Sequence, residues 1–255
     1  MSDDAKTTIA LVTGANRGIG KAVAIQLARD HGYHVVIGSR KLAAGEAVAA
    51  ELQAAGHKAS AVQLDLTSDD SMAAAVSTIE SKFGRLDVLV NNAAVLLDKG
   101  GSGFKEMPDL STRELFEKTF QTNVIGTACL TELALPMLRK ATSSPGPRLV
   151  FVVSMMGSLK VATDPTTHHY ALDYKAYDAS KAAVNMLMIN YARILKDVGG
   201  LVNSVCPGLV ATAATGFTEW GTTAEVGAKR VVELATLGPG GPSGTFSDSR
   251  GEIAW

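Results

Sequence analysis

Ile9-Ala-Leu-Val-Thr-Gly-Ala-Asn-Arg-Gly-Ile-Gly20 is the stretch that decides how this chain folds. Its first residues, Ile9 to Val12, are an apolar, partly β-branched run with the length of a buried strand. Glycines follow at 14, 18 and 20, and helix-spaced apolar residues come next at Val23, Leu27 and Ala28. Strand, glycine turn and helix in that order aim unpaired backbone N–H groups and the positive end of a helix dipole at a phosphate. Gly14 is expected to take the tight turn, Gly18 to leave room for a close anion, and Gly20 to let the helix press on the sheet. The spacing is Gly-x-x-x-Gly-x-Gly rather than Gly-x-Gly-x-x-Gly. Taken alone, such a turn also fits a plain strand–helix connection.

The chain beyond it repeats the same alternation. His34–Arg40 reads as a second buried strand, and 41–55 as a helix that stops at Gly56. Ala59–Leu64 is the third strand, closed by Asp65, and Thr67–Asp70 supplies the N-cap and acidic first turn of a helix to Phe83. Leu86–Val90 is the fourth strand, followed by Asn91-Asn-Ala-Ala94 and a Gly-rich loop over 98–109. Leu110–Arg139 reads as helix with room for a break, its last turn tightened or kinked by Pro136. Leu149–Val153 is the fifth strand and ends at Ser154; 158–173 is irregular and leads into a helix over Tyr177–Lys196. Leu201–Cys206 is the sixth strand, broken by Pro207-Gly208. Loop and helix fill 209–236, and a Gly/Pro tail carries one short strand near Gly244–Ser247. This order implies right-handed crossovers and a parallel sheet covered on both faces. With no repeat and no dividing linker, 1–255 is expected to be one doubly wound α/β domain.

Bulk composition narrows the function. A content of 46% hydrophobic residues with a formal net charge of −1 argues against disorder and against a nucleic-acid surface. Cys129 and Cys206 lack metal-ligand spacing and read as buried reduced thiols, so no metal is expected. Met1–Lys6 is polar and acidic, unlike a signal peptide, and no apolar run approaches the roughly 18 residues that cross a membrane. The expected setting is cytoplasmic.

In a doubly wound sheet, ligands lie beyond the carboxyl ends of the strands. Asn16, Arg17, Ser39, Arg40, Asp65, Asn91, Ser154 and Pro207-Gly208 all fall at such ends, around one crevice. With Tyr177-Asp-Ala-Ser-Lys181, these segments resemble the short-chain dehydrogenase/reductase family over almost the whole length, in its shorter, non-extended branch. Thr13–Gly20 resembles that family's cofactor turn, Asn91–Ala94 its Asn-Asn-Ala-Gly segment with Ala94 in place of glycine, and Pro207–Thr212 its nicotinamide loop. The resemblance implies a Rossmann-type fold and a catalytic set of Asn123, Ser154, Tyr177 and Lys181. It further implies cofactor contacts from Gly14, Asn16, Arg17, Gly18, Ile19, Gly20, Ser39, Arg40, Asp65, Leu66, Asn91, Ala93, Tyr177, Lys181, Pro207, Gly208, Val210 and Thr212. Asn123 is implied to hold a water in a proton relay, Lys181 to bind the nicotinamide ribose, and Asp65 to bind the adenine amino group or to start a helix.

The residue types suit the chemistry. Tyr177 and Lys181 are four apart and so share one helix face. A free phenol titrates near about 10, too high for efficient proton exchange at neutrality, and a neighbouring ammonium is expected to lower it. Ser154 can hydrogen-bond the substrate oxygen where charge builds. NAD binding favours an acid near the end of strand two, whereas Gly38-Ser-Arg-Lys41 has none. Arg40, with Arg17, is placed to pair with a 2′-phosphate, which predicts NADPH/NADP+. Substrate choice is expected in 95–109, 155–173 and 209–222, where Leu96, Leu97, Met155, Met156, Leu159, Tyr170, Phe217 and Trp220 offer an apolar lining. His168 and His169 read as solvated loop histidines.

Twenty-three positions separate Ser154 from Tyr177, longer than is usual in the family and similar to its carbonyl-reductase subgroup. Family oligomers pair through the helices that begin here near Leu110 and Tyr177, and an insertion there leaves dimer, tetramer and monomer open. The reading is an NADPH-dependent carbonyl reductase acting on a small molecule. Its alternatives are a dedicated biosynthetic reductase of one ketone, enone or imine, and a non-catalytic NADPH sensor.

Overall fold

The computed structural model describes residues 7–99, 109–167 and 169–255; Met1–Lys6, most of the 98–109 loop and His168 lie outside the described residues. Eight strands form one sheet in the order β3-β2-β1-β4-β5-β6-β7-β8. They are β1 Ile9–Thr13, β2 His34–Ser39, β3 Ala59–Gln63, β4 Val88–Asn91, β5 Arg148–Val152, β6 Leu201–Val205, β7 Phe246–Asp248 and β8 Gly251–Glu252. β1 to β7 run parallel, and β8 returns antiparallel along the edge, a strand that the Gly/Pro character of the tail conceals.

The central strands read as continuous apolar runs because both faces are covered. Along β1, Ile9 and Leu11 join one buried cluster while Ala10 and Val12 join the other. Helices α1 Gly18–His31, α2 Leu42–Ala54 and α8 Ala224–Ala235 cover the second face through Val23, Leu27, Val48, Leu52 and Val231. Helices α3 Asp69–Phe83, α5 Thr127–Leu138 and α7 Lys175–Ile194 cover the first through Met72, Ile79, Leu130, Met137, Val184 and Met188.

The expected helix over 110–139 is three pieces: α4 Thr112–Phe120, a π-helical turn Gln121–Gly126, and α5. α4 opens on a reciprocal capping box between Ser111 and Glu114. The π turn carries Asn123, in keeping with the tendency of such turns to mark functional positions. After Pro136, the bonds from Lys140 N to Met137 O and from Ala141 N to Leu138 O tighten the helix end. The stretch expected to be irregular also holds a short helix, α6 Leu159–Ala162.

Candidate active site

Strand order reverses between β1 and β4, and the turns after these two strands are stitched together there. Thr13 Oγ1 accepts from the N–H groups of Asn92 (3.0 Å) and Ala93 (2.9 Å), and Asn92 Nδ2 donates to Thr13 O at 2.8 Å. Gly14 and Gly18 take φ of +63° and +54°, which a Cβ would strain. Gly20 lets α1 pack closely on the turns that follow β1 and β4. A Cβ there would lie 2.5 Å from Asn92 Nδ2 and 2.6 Å from Gly14 O, so the Asn92 bridge itself requires the glycine. Ala94 is exposed.

This crevice fits a dinucleotide on three observations. α1 begins with neither a side-chain cap nor an acid in its first turn, so its N–H groups and dipole stand unneutralised. Asn91, at the end of β4, donates to Thr131 Oγ1 but keeps a buried Oδ1 without a partner among the described residues. Thr212 closes over the glycine turn, its Cγ2 3.4 Å from where a Gly18 Cβ would sit. Asn16 and Ile19 lie half-buried in the same turn. The Pro207–Thr212 loop is held from within: Gly208 has φ +77°, Val210 is buried, and Thr215 Oγ1 donates to Val210 O at 2.6 Å and accepts from Thr212 N.

Around the end of β2, Ser39 is buried and donates to Lys41 O. Arg40 and Arg17 are exposed, and among the described residues neither lies at ion-pair distance from a carboxylate. Asp65 Oδ1 accepts from Thr67 N (2.9 Å) and Thr67 Oγ1 (2.8 Å), so it does organise the start of the next helix. Those bonds, with Arg40 nearby, hold its carboxyl below the usual range. Leu66 is buried, and its carbonyl sits against Gly126 so closely that a Cβ there would collide with it.

Tyr177, Lys181 and Ser154 are brought together by one close packing. The turn Met155–Gly157 after β5 lies on α7, where a Cβ on Gly157 would come 2.7 Å from Lys181 C. Lys181 is buried, donates from Nζ to Val152 O at 2.9 Å and lies 5.5 Å from the Tyr177 ring centroid. Val152 stands two residues before Ser154, whose Oγ accepts from Met156 N at 3.2 Å. Tyr177 keeps part of its surface open, yet burial pushes its phenol up, with Cys206 and Asp178 adding to the shift. Burial also lowers Lys181 to about 8. The expectation that the ammonium lowers the phenol is therefore corrected for this chain. Loss of water disfavours both charged forms, and Nζ is directed at a carbonyl.

Asn123 is buried in the π turn, with its amide engaged by the chain: Oδ1 accepts from Val95 N (2.8 Å), and Nδ2 donates to Val95 O (2.9 Å) and Ser180 Oγ (3.0 Å). Ser180 Oγ in turn donates to Tyr177 O at 2.7 Å. Three neighbours are absent from the site expected from the sequence. Asp98 is buried and accepts from two backbone N–H groups of α7. Asp178 is pushed up to about 7 by burial first, then by Asp98 and Asp173. Cys206 is a free buried thiol raised by desolvation, and it sits close enough to act on both Tyr177 and Lys181. Only Asp98 left a signal, as an acid among leucines after the Asn91–Ala94 segment.

On the rim, Leu159, Tyr170, Phe217 and Trp220 are 71%, 56%, 65% and 82% exposed, so they are not core residues. Leu96, Leu97, Met155 and Met156 are half-buried, as is His169. Two clefts flank Leu97, of about 530 Å³ beside Thr67 and Gln121 and about 170 Å³ beside Asp98 and Lys175; neither is lined by Tyr177.

The sequence profile described as short chain dehydrogenase matches residues 8–220. The chain belongs to the short-chain dehydrogenase/reductase family. This short-chain dehydrogenase/reductase is 36% identical to short-chain dehydrogenase/reductase ATR10 of Stachybotrys chlorohalonatus, over 98% of this chain and 92% of that one. The solved structure of salutaridine reductase from Papaver somniferum superposes with a TM-score of 0.78 at 30% identity, covering 95% of this chain and 99% of that one. A 3-ketoacyl-(acyl-carrier-protein) reductase from Brucella melitensis, complexed with NADH, shares the fold with a TM-score of 0.76 at 24% identity, covering 95% and 96%. Family membership makes the chain an oxidoreductase acting on carbonyl or alcohol groups, on a fold that binds a nicotinamide cofactor. Among the described residues, no helix is long and apolar enough to cross a membrane, and no group of His, Cys, Asp and Glu is arranged to hold a metal ion.

Proposed function

We propose that the chain is an NADPH-dependent reductase of a ketone or aldehyde on a bulky apolar or aromatic small molecule. The observation that carries this reading is the buried Lys181 ammonium beneath the Tyr177 ring, reaching the strand end that bears Ser154. The nicotinamide supplies the hydride; the chain supplies orientation and the proton. Ser154 orients the carbonyl oxygen, Tyr177 hands its hydroxyl proton to that oxygen as charge develops, and Lys181, beside the Tyr177 ring, would bind the nicotinamide ribose. At pH 7 both groups hold their protons, Lys181 because it titrates at about 8 and Tyr177 because burial raises it, which is the state that reduction requires. Asn123 keeps the 95–98 segment and Tyr177 in register through Val95 and Ser180.

Gly14, Asn16, Gly18, Ile19, Gly20, Asn91 and Ala93 would hold the dinucleotide, with Pro207, Gly208, Val210 and Thr212 at its nicotinamide end and Asp65 and Leu66 at its adenine end. Exposed Leu159, Phe217 and Trp220 would meet the substrate. The test is NADPH consumption across a panel of aldehydes and ketones, with Tyr177→Phe as control. Turnover on several carbonyls that collapses in the variant upholds the reading; turnover that ignores the variant sinks it. A second reading, a reductase dedicated to one substrate, is favoured by the likeness to salutaridine reductase, which is named for a single substrate. Activity restricted to one member of the panel selects it.

The preference for NADPH rests on Arg40 and Arg17, two exposed guanidinium groups without a carboxylate at ion-pair distance among the described residues. A bidentate contact to a 2′-phosphate is worth about 1.5–3 kcal/mol. Arg40→Ala is expected to raise the KM for NADPH about tenfold or more and to leave that for NADH within twofold. Equal shifts for both cofactors would remove Arg40 as the discriminating residue.

A further inference from the structure

α7 carries Tyr177 and Lys181, yet it starts without a cap of its own. Its N-cap residue, Tyr174, makes no side-chain capping bond, and the following residues are Lys175, Ala176 and Tyr177. The first turn of a helix leaves N–H groups that need acceptors. Here they are met from 78 residues upstream: one Asp98 oxygen accepts from Ala176 N at 2.9 Å and the other from Tyr177 N at 3.1 Å. Asp98 is 2% exposed, so this carboxylate is committed to the helix rather than to water.

The segment that delivers Asp98 is itself fixed. Asn123 grips Val95 through both its N–H and its carbonyl. Tyr177 is thus held at both backbone groups by side chains: its N–H by Asp98, and its carbonyl by Ser180, which Asn123 also contacts. An ordinary N-cap need not come from a distant buried loop. Placing a buried charge on the N–H of Tyr177 itself fixes where the ring stands relative to the end of β5.

We infer that Asp98 is a positioning residue for the reaction: it caps the catalytic helix from the loop after β4 and thereby sets the place of the Tyr177 hydroxyl over the substrate carbonyl. This rests on Tyr177 being the proton donor. A misplacement of about 1 Å costs on the order of a hundredfold in rate.

The test compares Asp98→Ala, Asp98→Asn, Tyr177→Phe and the Tyr177→Phe/Asp98→Ala double variant in the full chain. Single-turnover NADPH oxidation is measured with the best carbonyl of the panel, alongside NADPH affinity by fluorescence and Tm. Asp98→Ala is expected to slow turnover on the order of ten- to a hundredfold with NADPH affinity within twofold. Asp98→Asn keeps one acceptor oxygen and falls between it and the native chain. The double variant is expected to be no slower than Tyr177→Phe alone, because a hydroxyl that is absent cannot be misplaced. Losses that multiply in the double variant, or a loss confined to Tm and NADPH affinity, overturn the inference; they mark Asp98 as a structural cap. If Asp98→Ala does not fold, Asp98→Asn and its double variant with Tyr177→Phe are judged by the same criteria. A rate untouched by Tyr177→Phe overturns the assignment of the proton donor and this inference with it. A rate that collapses in Tyr177→Phe yet ignores Asp98→Ala overturns the inference alone.

Discussion

Lys181→Met is expected to lose turnover by on the order of a hundredfold or more while folding at least as stably as the native chain at pH 7. An unfolded lysine titrates at 10.5, whereas burial holds Lys181 at about 8 in the folded chain. Between those values the unfolded chain binds more protons, so stability rises as pH climbs from about 8 to 10.5, and below about 8 the buried ammonium carries its full penalty. The gap corresponds to roughly 3 kcal/mol. Methionine keeps most of the apolar stem and forfeits the charge-assisted bond from Nζ to Val152 O, worth about 1.5–3 kcal/mol. The net expectation at pH 7 is a gain of about 0–2 kcal/mol, together with loss of the rise in stability above pH 8. Urea unfolding at pH 7 and pH 10 measures both. A variant that is less stable at pH 7 and keeps the native pH slope would show that the ammonium is well solvated and that its burial costs nothing. A gain in stability paired with lost activity is the pattern of a group kept for chemistry at the expense of the fold.

How far the sequence could be read follows from the range of the interactions involved. β1, β2 and α1–α3 were legible because they depend on short periodicities and on glycines whose φ is a local property, as at Gly14 and Gly18. The crossover order placed the strand ends, and with them Ser154, Asn91 and Pro207, around one crevice. Helix spacing put Tyr177 and Lys181 on one face, and the family resemblance gave that pair its role. What could not be read depends on partners far away in the chain. The side chain that Gly20 makes room for belongs to Asn92, and the cap of α7 is Asp98. The π turn around Asn123 is visible in the sequence only as a helix that admits a break. β8 has two residues, too few to show a period. Burial decided the acid–base character of Tyr177 and Lys181, and spacing carries no information about burial.

Asp87→Ala is expected to give the largest loss of stability, at the end of the sheet opposite the crevice. Asp87 lies just before β4 and its side chain is 1% exposed. Oδ2 accepts from Ile9 N at 2.8 Å and from Arg85 Nε at 3.3 Å; Oδ1 accepts from Thr142 N at 2.9 Å and Ser143 N at 3.2 Å. One carboxylate therefore ties the first residue of β1 to the turn before β5, while the Asp87 backbone bonds Ile9 O and Arg148 N. Alanine strands three backbone N–H groups, at about 1–3 kcal/mol each when buried, and removes the ion pair between Asp87 and Arg85. Partial relaxation and water entry reduce that sum, so the expected loss is about 3–5 kcal/mol, a large part of a stability that is about 5–15 kcal/mol in folded domains. For a chain of this size that corresponds to a fall in Tm of about 8–15 °C. Asp87→Asn is expected to recover little, because either amide orientation turns an NH2 group toward donors: Ile9 and Arg85 on one side, Thr142 and Ser143 on the other. Turnover measured well below the transition is expected to stay within twofold of native, since every group Asp87 holds stands at the amino ends of the strands. Urea unfolding with activity measured at low temperature checks both halves. A full recovery by asparagine would mean that the charge is dispensable and that hydrogen bonds to a neutral oxygen suffice. An unchanged midpoint in the alanine variant would mean that water replaces the carboxylate at no cost, and that β1 finds its register from packing alone.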